Sequence, residues 1–117
     1  MRPIAIERDN PAAAIRSILK HGQRRLKEGN RIVIYPEGTR GNPDKLSGFK
    51  SSGAAIAKKA CVDILPIAHD AGKYWLHHSF LKQSGTIRLH IGPVINSAFG
   101  SPRDLTKQAR DWIESAL

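Results

Sequence analysis

Between Arg31 and Arg40 the chain reads Arg-Ile-Val-Ile-Tyr-Pro-Glu-Gly-Thr-Arg, and this stretch narrows the available folds more than any other. Ile32, Val33, Ile34 and Tyr35 are β-branched or aromatic with no polar alternation, the composition of a strand covered on both faces. Pro36 ends the run, because proline holds its predecessor extended and has no N–H to give to a ladder. Four consecutive residues then offer a carboxylate, a bare backbone, a hydroxyl and a guanidinium: Glu37, Gly38, Thr39 and Arg40. Open α/β sheets hold their ligands at the carboxyl ends of their strands, which is where this set falls.

That set suits a phosphate. Gly38 lacks a Cβ, so its backbone turns left-handed without penalty and its N–H approaches an anion closely. Thr39 brings a hydroxyl, and Arg40 a planar fork that grips two oxygens at once. Glu37 repels phosphate, so its role is to orient Arg40 or another cation. A plain strand–turn corner with a surface ion pair uses the same residues, and composition leaves both readings open.

The flanking sequence builds an α/β frame. Residues 3–7 read as a short strand; Asn10 and Pro11 then open a helix whose apolar positions are Ala12, Ile15, Ile18, Leu19, Gly22 and Leu26, with Gly29 as its stop. Its other face is basic, through Arg16, Lys20, Arg24 and Lys27: a solvated face, or one for a membrane surface or nucleic acid. A strand–helix–strand unit implies parallel pairing with a right-handed crossover. Residues 36–48 are a loop, and Ser51 or Ser52 starts an alanine-rich helix reaching about Cys61. Lys50 stands at that start, either in solvent or beside Arg40 around a phosphate. Ile64–Ala68 reads as a third buried strand in which Pro66 marks an edge or bulge. Thr86–Ile91 alternates as a half-exposed strand. Ser101, Pro102 and Asp104 open a last helix with a capping box, its apolar face carrying Leu105, Ala109, Trp112, Ile113 and Ala116. Between these elements, residues 70–84 follow no period. Tyr74, Trp75, Leu76, Phe80 and Leu81 lie there between Lys73 and Lys82, as a loop folded on the core or as a lipid-interface segment.

Charge narrows the partners. The formal net charge is +9, with 13 basic and 5 acidic residues in positions 1–60 against 6 and 5 in 61–117. The half with the candidate corner thus attracts anions: lipid headgroups, coenzyme phosphates or nucleic acid. A basic module for an anionic membrane surface or nucleic acid is the rival functional class, although no ribonucleoprotein, zinc or helix–turn–helix pattern supports nucleic acid. Neither glycine-rich nucleotide fingerprint occurs. The single cysteine, Cys61, has no internal partner and sits in an apolar run, which predicts a buried, inert thiol. His77 and His78 lack metal-ligand spacing, so no metal is expected. No run nears the roughly 18 apolar residues that a spanning helix needs.

The block Tyr35-Pro-Glu-Gly-Thr-Arg40 resembles the signature of the glycerolipid acyltransferases, especially the 1-acylglycerol-3-phosphate acyltransferases. The similarity continues through Arg2-Pro-Ile-Ala-Ile-Glu-Arg8, through Gly48-Phe-Lys-Ser-Ser-Gly-Ala-Ala-Ile-Ala57, and through Ile64-Leu-Pro-Ile-Ala68. It implies a partial glycerolipid-acyltransferase-like α/β domain, a mostly parallel sheet flanked by helices, with residues 1–117 as its C-terminal portion. It implies that Arg8, Glu37, Gly38, Thr39 and Arg40 bind the glycerol 3-phosphate part of lysophosphatidic acid, and Lys50, from its place at the helix start, is the further candidate beside them. Acyl-CoA or acyl carrier protein is then the donor substrate, with no further cofactor, at the cytoplasmic face of the membrane as a peripheral protein.

One departure limits this. The family's catalytic pair is the His and Asp of Asn-His-x-x-x-x-Asp. Five residues after this chain's histidines, at 21, 69, 77, 78 and 90, stand Leu26, Tyr74, Lys82, Gln83 and Ile95. No catalytic residue is therefore assigned. The chain is expected to be inactive alone, of low stability, and prone to associate through exposed core.

Overall fold

A computed structural model describes residues 10–38, 48–75 and 80–117. Arg8, Thr39 and Arg40 lie outside the described residues, as do the expected strand 3–7 and most of the loop after Gly38.

Helix α1 spans Pro11–Lys27 and begins as its sequence dictates. The Asn10 side chain accepts from the Ala13 N–H at 3.1 Å, and Gly29 closes the far end at φ +81°. Helix α2, Ser52–Ala60, packs across α1 at a glycine. A Cβ built on Gly22 would stand 3.1 Å from the Ile56 side chain, so no larger residue lets the helices come this close. Strand β1 (Ile67–His69), the short helix α3 (Ala71–Tyr74), strand β2 (Leu89–Ile91) and helix α4 (Pro102–Ala116) complete the order.

The core lies where α1, α2, α4 and β1 meet. It is made of Ala14, Ala54, Ile56, Ala57, Ala68 and Leu105, the last wholly buried. Four of these six are alanines, which keeps the elements close but buries little apolar area per residue. Lys58 ties the end of α2 to the Gly100 carbonyl just ahead of α4. At Ser101 the capping box forms as the sequence predicts: its hydroxyl accepts from the Asp104 N–H, and Asp104 Oδ2 accepts from the Ser101 N–H at 3.1 Å.

The structure departs from expectation at three places. The sheet that the described residues form is a two-stranded antiparallel one, with Ile67 opposite Ile91, Ala68 opposite His90 and His69 opposite Leu89, so these residues do not confirm a mostly parallel sheet. A bridge between Ile64 and Ile95 extends the pairing, and the chain reverses between them, which forces the antiparallel sense. Pro66 sits inside this ladder without an N–H and contributes only its carbonyl, which accepts from Gly92 at 2.9 Å.

The second correction concerns 31–35. This segment is extended, but no ladder joins it to another described segment, and it is covered on one face rather than two. Ile32 reaches toward Gly22 of α1 and Ile34 toward Gly53 of α2, while Val33 and Tyr35 are 76% and 75% exposed. The two-residue alternation of a strand persists with a single layer beneath it. Likewise β2 is exposed throughout, not half-covered. Third, Cys61 is exposed, not buried: it is the left-handed C-cap residue of α2, at φ +54°, which turns its side chain off the helix face.

Candidate functional site

The corner after residues 31–35 is a tight turn. Pro36 occupies its second position and Gly38 its fourth, and the Gly38 N–H donates to the Tyr35 carbonyl at 3.0 Å. Gly38 adopts φ +68°, where a side chain is strained. Its N–H is thus committed to the turn rather than offered to an anion. The signal was present in the sequence, since Pro and Gly spaced in this way favour closure onto the residue before the proline.

What glycine supplies is space. The Lys50 Nζ lies 3.2 Å from where a Cβ of Gly38 would stand, so the ammonium rests against the bare face of the turn. Lys50 is anchored through its backbone, its N–H donating to the Pro36 carbonyl at 2.9 Å. Two segments separated by the loop are thereby locked together, and a cation is delivered to the corner predicted to hold a phosphate.

Helix α2 begins two residues after Lys50. Ser51 occupies its N-cap position but makes no side-chain cap bond, so the N–H groups of the first turn are not satisfied by that hydroxyl. Gly53 in this first turn lies against Ile34, a Cβ there standing 3.0 Å from its Cδ1. The positive end of α2 is therefore held beside the extended segment. Of the six predicted residues, the structure brings Gly38 and Lys50 together and places Glu37, half-buried, between Pro36 and Gly38. Arg8, Thr39 and Arg40 are outside the described residues.

Other features lie apart from this corner. A groove of 360 Å³ is lined by Pro66, Val94, Ile95, Phe99, Gln108 and Trp112, and by none of the candidate phosphate residues. Among the described residues no cluster of His, Cys, Asp or Glu is set to hold a metal, and no helix is long and apolar enough to cross a membrane.

Residues 1–70 match the family model described as Acyltransferase, so the chain belongs to the acyltransferase family. It is similar over its whole length to the 1-acyl-sn-glycerol-3-phosphate acyltransferase of Pseudomonas aeruginosa, at 37% identity over 120 residues covering 47% of that protein. It is 28% identical to the human 1-acyl-sn-glycerol-3-phosphate acyltransferase beta over 87 residues, covering 74% of this chain and 31% of the human protein. It shares its fold with the crystal structure of the 1-acyl-sn-glycerophosphate acyltransferase from Thermotoga maritima, with a TM-score of 0.77 and 24% identity over 87% of this chain and 44% of that one. The chain spans less than half the length of these relatives.

Proposed function

We propose that this chain supplies the acceptor-holding part of a 1-acylglycerol-3-phosphate acyltransferase, the enzyme class that forms phosphatidic acid. The observation that carries the proposal is the Lys50 ammonium resting on Gly38, at the end of the segment that bears the family signature. In this reading Arg8, Thr39 and Arg40 join Lys50 and the first turn of α2 around the phosphate, and Glu37 orients the cations. A parallel pairing of residues 3–7 with 31–35 belongs to the same reading and brings Arg8 to the corner.

In the reaction itself, the free hydroxyl of the glycerol attacks the thioester carbonyl of acyl-CoA or acyl carrier protein. A base takes the hydroxyl proton and the thiolate departs. Binding the phosphate orients that hydroxyl but abstracts no proton, and no His-x-x-x-x-Asp exists in this sequence to act as the base. The chain alone therefore binds acceptor without turning it over, at the cytoplasmic face of a membrane as a peripheral protein.

The test is calorimetric titration of the purified chain with a short-chain, water-soluble lysophosphatidic acid. Arg40→Ala abolishes binding if the corner grips one phosphate. It weakens binding only slightly if the chain is a diffuse polyanion binder whose affinity is spread over many charges. Acyl-CoA-dependent formation of phosphatidic acid by the purified chain would refute the inactivity.

A further inference from the structure

The outer edge of β2 is open. In the ladder, the Asp70 N–H donates to the Arg88 carbonyl at 3.3 Å and the Gly92 N–H to the Pro66 carbonyl at 2.9 Å. With Ile67 opposite Ile91 and His69 opposite Leu89, these bonds make Ala68 and His90 the pair that exchanges hydrogen bonds. The N–H and C=O groups of Leu89 and Ile91 therefore point away from β1. Among the described residues nothing bonds to them, and every residue from 80 to 91 is exposed. Such an edge is a template for another strand unless proline, charge or a covering element protects it. Here the outward positions are leucine and isoleucine, 59% and 63% exposed.

The edge is also its own complement. A second β2, turned about a two-fold axis at His90, runs antiparallel and sets Leu89 opposite Ile91 of the other copy, and Ile91 opposite its Leu89. Each of these pairs exchanges both of its N–H···O=C bonds, using groups that the single chain leaves in water. A one-residue slip opposes these groups to ones already bonded to β1. Moving the axis to Ile91 sets Leu89 opposite Pro93, which has no N–H. Charge fits the same axis. Arg88, His90 and Gly92 share the face toward α4, and the register places Arg88 opposite Gly92 of the other copy. A Cβ at Gly92 would stand 2.7 Å from Trp112 Cε2, so the indole lies where that side chain would be. The groove lined by Pro66, Pro93 and Trp112 adjoins it. The Arg88 N–H donates to Asp70 Oδ1 at 2.8 Å and its charge acts on that carboxylate, but among the described residues its guanidinium makes no ion pair. The guanidinium is placed to meet the indole of a second copy, its stem along the apolar groove and its charge at the ring.

We propose that β2 pairs edge to edge with β2 of a second copy of this chain, about a two-fold axis at His90, each Arg88 seating against Trp112 of the other copy. Strand addition draws its affinity from main-chain hydrogen bonds more than from covered area, so the dimer is reversible and depends on concentration. None of its residues belongs to the phosphate corner, and the proposal stands apart from the acceptor-holding reading.

The test is sedimentation equilibrium of the full chain over a range of concentrations. A monomer–dimer equilibrium is expected, strengthened by added salt because each copy carries a net charge of +9. Leu89→Pro removes an outward N–H from each copy, leaves the bonds to β1 in place, and weakens dimerisation at least about tenfold. Arg88→Ala keeps every backbone bond and weakens it about tenfold. Ile67→Pro makes the same change on the outer edge of β1 and leaves the dimer intact. Far-UV circular dichroism checks folding of the proline variants; Arg88→Ala, at an exposed position, keeps the test open if they unfold. With Trp75→Phe as background, Trp112 emission shifts as concentration rises, and Arg88→Ala removes the shift.

A chain that stays monomeric at every concentration overturns the proposal, as does a dimer that folded Leu89→Pro and Arg88→Ala leave unchanged. So does a dimer lost in folded Ile67→Pro and kept in Leu89→Pro, because the copies then meet through β1. Association that grows past the dimer without limit also overturns it, since a two-fold pairing closes on itself.

Discussion

Gly38→Ala probes the corner most directly, because two glycines of this chain share its backbone and only one shares its neighbour. Gly29 has φ +81° and nothing within 4 Å of where a Cβ would stand; Gly38 has φ +68° and the Lys50 Nζ at 3.2 Å. Alanine in the left-handed region costs about 1–2 kcal/mol at either position. The contact at Gly38 adds little to stability, since the ammonium ends a flexible stem and needs to retreat by only a few tenths of an ångström. Urea unfolding of Gly29→Ala and Gly38→Ala should therefore give similar losses. Binding should separate them. A charge-assisted hydrogen bond to phosphate is worth roughly 1.5–3 kcal/mol, and pushing the ammonium off the turn forfeits part of it. Gly38→Ala should thus bind short-chain lysophosphatidic acid about tenfold more weakly by calorimetry, while Gly29→Ala binds like wild type. Equal affinities for the two variants would refute the placement of Lys50 at the phosphate.

Three further outcomes follow from the caps. The carboxyl of Asp104 is held below its ordinary pKa, first by the Ser101 hydroxyl and then by the Ser101 N–H. Asp70 and Glu28 are lowered as well, Asp70 chiefly by the Arg88 N–H and Glu28 chiefly by Arg24. Groups lowered in the folded state stabilise it above their unfolded pKa of about 4 and lose that contribution as pH falls through the lower folded value. Thermal melts should consequently fall as pH drops from about 5 toward 2, and Asp104→Asn should flatten that decline. Ser101→Ala should cost about 1 kcal/mol at neutral pH. Cys61→Gly should raise stability by about 1 kcal/mol in urea unfolding, since Cys61 sits at φ +54° where glycine carries no Cβ penalty.

What the sequence disclosed divides by range. The starts of α1 and α4 were legible because Asn10 and Ser101 find their partners three residues away, at Ala13 and Asp104. The stop at Gly29 was legible for the same reason. Residues 31–35 were legible as extended, yet the number of layers covering them was not, since cover comes from α1 and α2, far off in sequence. The antiparallel pairing of 67–69 with 89–91 was hidden because 70–84 carry no period from which the reversal could be read. Lys50 could be named as a candidate from its place before a helix, but only the fold brings it onto Gly38. Cys61 misled because an apolar neighbourhood in sequence says nothing about the direction a left-handed cap gives its side chain.

The glycine under α1 has reach beyond the seam it forms. Gly22 admits Ile56, Ile56 seats α2, and the start of α2 carries Lys50 to its station. A methyl group added at position 22 would work as a shim beneath a lever, displacing a cation it never touches. Because misplacing a binding group by about an ångström costs far more than the displacement suggests, substitutions in the helix seam will masquerade as ligand-pocket mutations.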